Sequence, residues 1–247
     1  MDSHLRVKNR GVSILLWLCC CLFLLVFSLG LSWQVNKSAD FFYEFWYSKL
    51  NIEQTVKTYV PQNTQGKRDF ASTDTEQHFK SFNEIVYEIN NNGKGLAKLK
   101  YQNKDKEDKL LLTTAEIIHL QDVSDLVNTL RSVSVINLLL LITIIAIVYR
   151  FKQPKPHIKE QYLAVALPSA SLLIMFSIFG FTDIFYYLHT LVFPENHQWF
   201  FYYQESLMSS LMKAPDLFAG IGFSLLVIAF IIYVIIYRLL ITKLFKG

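Results

Sequence analysis

Four stretches of this chain, residues 12–33, 132–149, 162–181 and 217–237, contain no Asp, Glu, Lys or Arg, and each runs for at least eighteen residues. An apolar segment of that length satisfies its backbone hydrogen bonds internally as a helix and matches the roughly 20 residues needed to cross a bilayer. The sequence therefore predicts an all-α membrane protein with four transmembrane helices. Its 52% hydrophobic content, with 20 Phe and 13 Tyr against only 18% charged residues, is ordinary for that class and unusual for a soluble chain.

Lys and Arg orient the spans. Arg6, Lys8 and Arg10 precede the first, and Arg150, Lys152, Lys155 and Lys159 lie between the second and third. Arg238, Lys243 and Lys246 follow the fourth. In these three segments the only acidic residues are Asp2 and Glu160. They are expected on the cytoplasmic side, so both termini are predicted inside.

The layout becomes a tail at 1–11, spans at 12–33 and 132–149, a loop at 150–161, spans at 162–181 and 217–237, and a tail at 238–247. Residues 34–131 form a small, mainly helical extracytoplasmic domain between spans one and two, and residues 182–216 an extracytoplasmic loop. The net charge of +4 hides this asymmetry and gives no reason to invoke nucleic acid.

Cys19, Cys20 and Cys21 are consecutive in the first span and leave the outer domain without a structural disulfide. Leu18 before Cys19, and the length of the apolar run, argue against a lipoprotein signal peptide. Pro168 is expected to kink the third span. The aromatic cluster of residues 40–50 reads as an interfacial anchor or as one wall of a lipid entrance. Residues 51–72 read as irregular, and residues 74–90 have helical spacing, stopped by an Asn- and Gly-rich run at 91–95. Residues 104–109 read as a charged turn, and residues 110–112 as a short strand or an extended lead-in. The outer domain is small and poor in apolar clusters, and is expected to depend on the membrane bundle for stability.

Residues 113–130 organise the chain. Thr113 with Glu116 forms a capping-box pattern, and Leu120, Val123, Val127 and Leu130 make an apolar stripe at helical spacing. His119 lies at the edge of that stripe, and Asp122, three residues on, is within reach of its imidazole. A bend within residues 128–132 would bring His119 down to the headgroups. The third span continues past residue 181 as a helix carrying Asp183, Tyr186 and His189, until Pro194 stops it. Trp199 opens a second aromatic cluster. His119 and His189 are thus placed at the same membrane face, while His4, His78, His157 and His197 are expected in solvent.

Metalloprotease, thiol-redox, serine-hydrolase and phosphate-loop motifs do not occur. No charged residue sits within a span, which argues against a proton-coupled transporter or an ion channel. Haem ligation would need two histidines facing each other inside the bundle, whereas these lie at its rim. No metal site is expected.

The pattern of Thr113, Glu116, His119, Leu120, Asp122 and Val123 resembles a motif of the bacterial lipoprotein intramolecular transacylase family. So does the later run of His189, Phe193, Pro194 and Trp199, and the four-span layout agrees. After Trp199 the chain continues as Phe200, Phe201, Tyr202 and Tyr203, where the family pattern usually has an Asp-Pro pair. The resemblance implies acyl transfer from the sn-2 ester of an S-diacylglyceryl cysteine to the α-amine of the same cysteine, yielding a lyso-form lipoprotein. It implies His119 and His189 as catalytic residues at the extracytoplasmic face, with Asp122 and Glu116 in support. Tyr186, Phe193 and Trp199 would line the substrate pocket. Diacylated bacterial lipoproteins and membrane lipids would be the partners, and no cofactor is required. Two other readings stand beside this one: a non-enzymatic membrane protein whose outer domain binds a partner, and a lipid-ester hydrolase using the same histidines.

Overall fold

The computed structural model describes residues 2–151, 153 and 155–243. Lys152 and Lys246, used above to orient the chain, lie outside the described residues, as do the side chains of His4, Arg6 and Lys8. Among the described residues, eight α-helices and one hairpin follow in order: α1 (Asp2–Ser38), α2 (Tyr43–Lys49), α3 (Ile52–Tyr59), α4 (Thr75–Asn90), β1 (Lys100–Gln102), β2 (Asp108–Leu110), α5 (Thr114–Arg150), α6 (Ile158–Val192), α7 (Leu207–Met212) and α8 (Asp216–Lys243). The long helices α5, α6 and α8 and the Arg10–Ser38 part of α1 are each long and apolar enough to cross a membrane. The protein is an all-α, multi-pass membrane protein with one short hairpin.

The chain divides into two compact units. The first comprises Met1–Val35, Arg131–Gly180 and Ser224–Gly247. Its core joins Trp17, Cys20, Cys21 and Leu24 to Leu141, Val148, Tyr233, Tyr237 and Ile241. Polar groups in these helices find partners inside the unit. Asn137 donates to the Phe23 carbonyl at 3.0 Å, and Ser32 donates to the Leu225 carbonyl at 2.7 Å. Outward-facing Leu15, Leu139 and Ile178 are more than half exposed, as suits side chains whose solvent is lipid. Pro168 lies within α6, but the residue with non-helical dihedrals is Gly180 (φ 72°, ψ 162°). The expected break therefore falls twelve residues later, where a residue without Cβ adopts positive φ at no steric cost.

The second unit comprises Asn36–Leu130 and Phe181–Phe223 and has its own core. The aromatics of residues 40–50 help to build it. Tyr43 stacks on Phe82 at 3.8 Å and donates to the Leu211 carbonyl at 2.7 Å. Tyr47 is buried too, while Phe42 and Phe45 remain exposed. Ile52, Val56, Phe70, Ile85, Leu96, Leu111, Leu207, Leu211 and Leu217 are almost completely buried. The outer segment is therefore richer in apolar packing than the sequence suggested, because its core is assembled from residues far apart in the chain.

Residues 51–72, expected to be irregular, form α3 and two 3₁₀ turns. The helix expected at 74–90 is α4, with Asp74 as N-cap accepting from the Gln77 amide at 2.9 Å. β1 and β2 pair antiparallel, with Tyr101 opposite Lys109. Asp69 ties this hairpin down by accepting from Tyr101 at 2.7 Å, Asn103 at 3.0 Å and Lys109 at 2.7 Å. Residues 128–132, where a bend was expected, are helical within α5. Within residues 182–216, α6 continues to Val192, in keeping with the helix expected to run on until Pro194, and the short α7 follows after a non-helical stretch.

Candidate active site

The site lies within the second unit and is anchored by the start of α5. The capping box forms. The Thr113 amide donates to Glu116 Oε2 at 2.5 Å, and the Glu116 amide donates to Thr113 Oγ1 at 3.3 Å. Glu116 is fully buried, and its other oxygen accepts from Ser206 Oγ at 2.5 Å and from the Met208 amide at 3.4 Å. Ser206 in turn N-caps α7, accepting from the Ser209 amide at 2.9 Å. One carboxylate thus joins two helix N-termini, where the exposed amides favour negative charge.

One turn beyond Glu116, His119 is 7% exposed. Its ring centroid lies 6.2 Å from that of His189 on α6. Phe193 packs against both imidazoles, at 4.9 and 5.1 Å. Trp199 lies 5.2 Å from His189, and Tyr186 lies 6.0 Å from Trp199. The predicted site residues His119, His189, Tyr186, Phe193 and Trp199 are therefore assembled in one aromatic cluster. Two further aromatics touch the histidines: Phe185, 4.0 Å from His189, and Phe201, 6.0 Å from His119. Phe185 stands four residues before His189, and that helical spacing puts them side by side. Phe201 belongs to the cluster that Trp199 opens, but it lies in the non-helical stretch after Pro194, where spacing gives no direction.

His189 Nδ1 lies 2.7 Å from the Phe185 carbonyl. A carbonyl only accepts, so Nδ1 carries the proton and Nε2 is left with its lone pair. His119 Nδ1 is buried with no hydrogen-bond partner. Both histidines lie outside the charge-free spans, and both have pKa values pushed down. For His119, burial and then the neighbouring His189 outweigh Asp122, to about 4. For His189, burial outweighs the Phe185 hydrogen bond. Both imidazoles are neutral at pH 7.

Asp122 does not hydrogen-bond His119 as the sequence suggested. Its Oδ2 lies 2.7 Å from Nδ1 of His197, which was expected in solvent. Nor is His78 solvated. It is 3% exposed, between Tyr47 Oη at 2.7 Å and Thr73 Oγ1 at 3.1 Å. Asp122 is distant in sequence from His197, as Tyr47 is from His78, so helical spacing around the histidines carried no trace of these contacts. His157 is exposed. Among the described residues, no group of three or more His, Cys, Asp or Glu is placed to hold a metal ion.

Two solved structures are similar to this chain. Both are described as in meso structures of the membrane integral lipoprotein intramolecular transacylase Lit from Bacillus cereus. One is a histidine-to-arginine variant, with TM-score 0.66, 15% identity and 98% of each chain covered. The other is a histidine-to-alanine variant, with TM-score 0.63, 17% identity, 96% of this chain and 98% of that chain covered. At such identity the likeness speaks for the fold. No curated protein matches the sequence. Residues 14–218 match the family described as "Lipoprotein intramolecular transacylase Lit". A match that takes in all the site residues above, on a chain with that four-span fold, shows a membrane acyltransferase: the chain belongs to the lipoprotein intramolecular transacylase family.

Proposed function

We propose that His119 and His189 transfer the sn-2 acyl chain of an S-diacylglyceryl cysteine to the α-amine of that same cysteine. The substrate would be a diacylated bacterial lipoprotein held among membrane lipids, and the product its lyso form. The observation that carries this reading is the pair of neutral imidazoles, His119 buried and His189 half-buried, with ring centroids 6.2 Å apart and walled by aromatic rings. With both termini cytoplasmic, as the basic segments suggest, this pair would face the extracytoplasmic leaflet.

The roles follow from the hydrogen bonds. With Nδ1 tied to Phe185, His189 offers the Nε2 lone pair to the attacking amine and takes its proton. The nitrogen bonds to the ester carbonyl carbon, the carbon–oxygen bond to glycerol breaks, and the same proton passes to the departing oxygen. Protons balance within the pair, and the acyl chain ends as an amide. His119, neutral, donates N–H to the carbonyl oxygen as negative charge develops there. Attacking and leaving groups belong to one substrate, so positioning replaces a covalent acyl-enzyme. Tyr186, Phe193 and Trp199 supply apolar surface for the lipid, and Glu116 holds α5 and α7 together beneath the pair.

The test is mass spectrometry of a synthetic diacylglyceryl-cysteine peptide after incubation with the purified protein. The expected product has unchanged mass with one chain moved to nitrogen. Release of free fatty acid with loss of mass would replace transfer by hydrolysis.

A further inference from the structure

The function developed above leaves one pair of residues unused: Asp122, one turn after His119, and His197, on the non-helical segment between α6 and α7. Asp122 has two imidazole nitrogens to choose from. One is Nδ1 of His197, which it engages at 2.7 Å. The other is Nδ1 of His119, which is buried and without a partner. The i, i+3 spacing puts Asp122 on the same side of α5 as His119, and its charge is felt there. A buried ring nitrogen left without a hydrogen bond loses the partner it had in water, so the nearest carboxylate would be drawn to it unless held elsewhere.

We propose that His197 is a positioning residue for the transacylation, holding Asp122 away from Nδ1 of His119 and so keeping that imidazole's proton on Nε2. The inference rests on the reading of His119 as an N–H donor to the ester carbonyl. A carboxylate at Nδ1 binds the Nδ1–H tautomer, or draws in a second proton to make the imidazolium. The Nδ1–H tautomer presents a lone pair where the carbonyl oxygen needs a donor. The imidazolium adds a charge next to His189 and lowers that residue's basicity. With Asp122 held by His197, Nδ1 stays bare. A bare buried acceptor is tolerated better than a buried N–H without a partner.

The same hydrogen bond has a second effect. His197 lies two residues before Trp199 and four before Phe201, which pack on His189 and His119 respectively. Anchoring His197 to α5 therefore also fixes the segment that carries both rings. A purely structural role would end there, and the experiment must separate the two.

The full-length protein in detergent micelles, labelled with ¹⁵N-histidine, reports the tautomer of His119 directly; its signal is assigned by comparison with His119→Ala. In the wild type, Nδ1 is expected to be bare and Nε2 protonated. In His197→Ala, and in the bulkier His197→Phe should the first fail to fold, Nδ1 of His119 is expected to become protonated. On the diacylglyceryl-cysteine peptide, kcat is expected to fall about tenfold with KM little changed. His197→Gln, whose amide can still donate to Asp122, should restore both the tautomer and kcat. Adding Asp122→Asn to His197→Ala should return Nδ1 to its bare state. An unchanged His119 tautomer in the folded His197 variants would overturn the proposal, as would protonation of Nδ1 that persists with Asp122→Asn. The tautomer is read without turnover, so wild-type turnover in His119→Ala would reject the transacylation roles and leave the Asp122 arrangement to be judged on its own spectrum.

Discussion

Glu116 reaches across ninety residues of sequence to Ser206, with its Oε1 accepting from Ser206 Oγ at 2.5 Å in a fully buried setting. The same carboxylate caps α5 through the Thr113 amide. Glu116→Ala would strand several buried donors at once. We expect a loss of about 3 kcal/mol, since hydrogen bonds to charged groups are worth roughly 1.5–3 kcal/mol each. Thermal unfolding in detergent should show a lowered midpoint, and an unchanged midpoint would mean that Glu116 is not the link described here.

His119→Ala and His189→Ala are each expected to lower N-acylation by about a hundredfold or more, the usual scale for removing an acid–base group. Turnover is measured per folded molecule by following the lyso-form product. Wild-type turnover in either variant would remove the proposed mechanism.

The pair of His197 and Asp122 makes an opposite expectation for the carboxylate alone. Asp122→Asn removes the charge that would compete for His119 but leaves His197 only a weaker, neutral acceptor, so the segment carrying Trp199 and Phe201 is held less firmly and turnover should fall by less than about tenfold. A loss as large as that of His119→Ala would assign Asp122 a direct part in the chemistry.

His78 makes an expectation about stability. Burial, opposed by Glu53 and Asp74, pushes its pKa down to about 4 from an ordinary value of 6.5. Above pH 6.5 the ring is neutral in both the folded and the unfolded chain. As pH falls from 6.5 towards 4, the unfolded chain takes up a proton that the folded chain refuses, and up to about 3 kcal/mol of stability is lost. Unfolding followed at pH 7.5 and pH 4.5 should show a smaller acid loss in His78→Gln than in the wild type. Equal losses would contradict the burial argument.

Topology is checked by a reporter fused after Gly247. Both termini are expected in the cytoplasm, because Lys and Arg outnumber Asp and Glu only in the segments flanking the spans on that side, while the rest of the chain is net acidic. A fusion active only outside the membrane would reverse the assignment, and with it the side on which lipoproteins are met.

What could be read from the sequence was what depends on neighbours along the chain. Four charge-free runs set the number of membrane helices, because in lipid a polar backbone must be satisfied within its own segment. Thr113 with Glu116 announced a helix start, since a cap is made within three residues. His119 and His189 could be nominated, because each lies beside an aromatic-rich segment just outside a span and in a recognisable motif. Tertiary structure alone decided who holds whom. Asp122 seemed paired with His119 by helical spacing, but a segment seventy-five residues away brings in His197. Ser206 meets the far oxygen of Glu116, and Tyr43 and Tyr47 turn inward because α4 and α7 supply the surfaces they pack on. Helical periodicity states which way a side chain points. It does not state what another part of the chain will place there, and in a buried site that second fact determines where each proton resides.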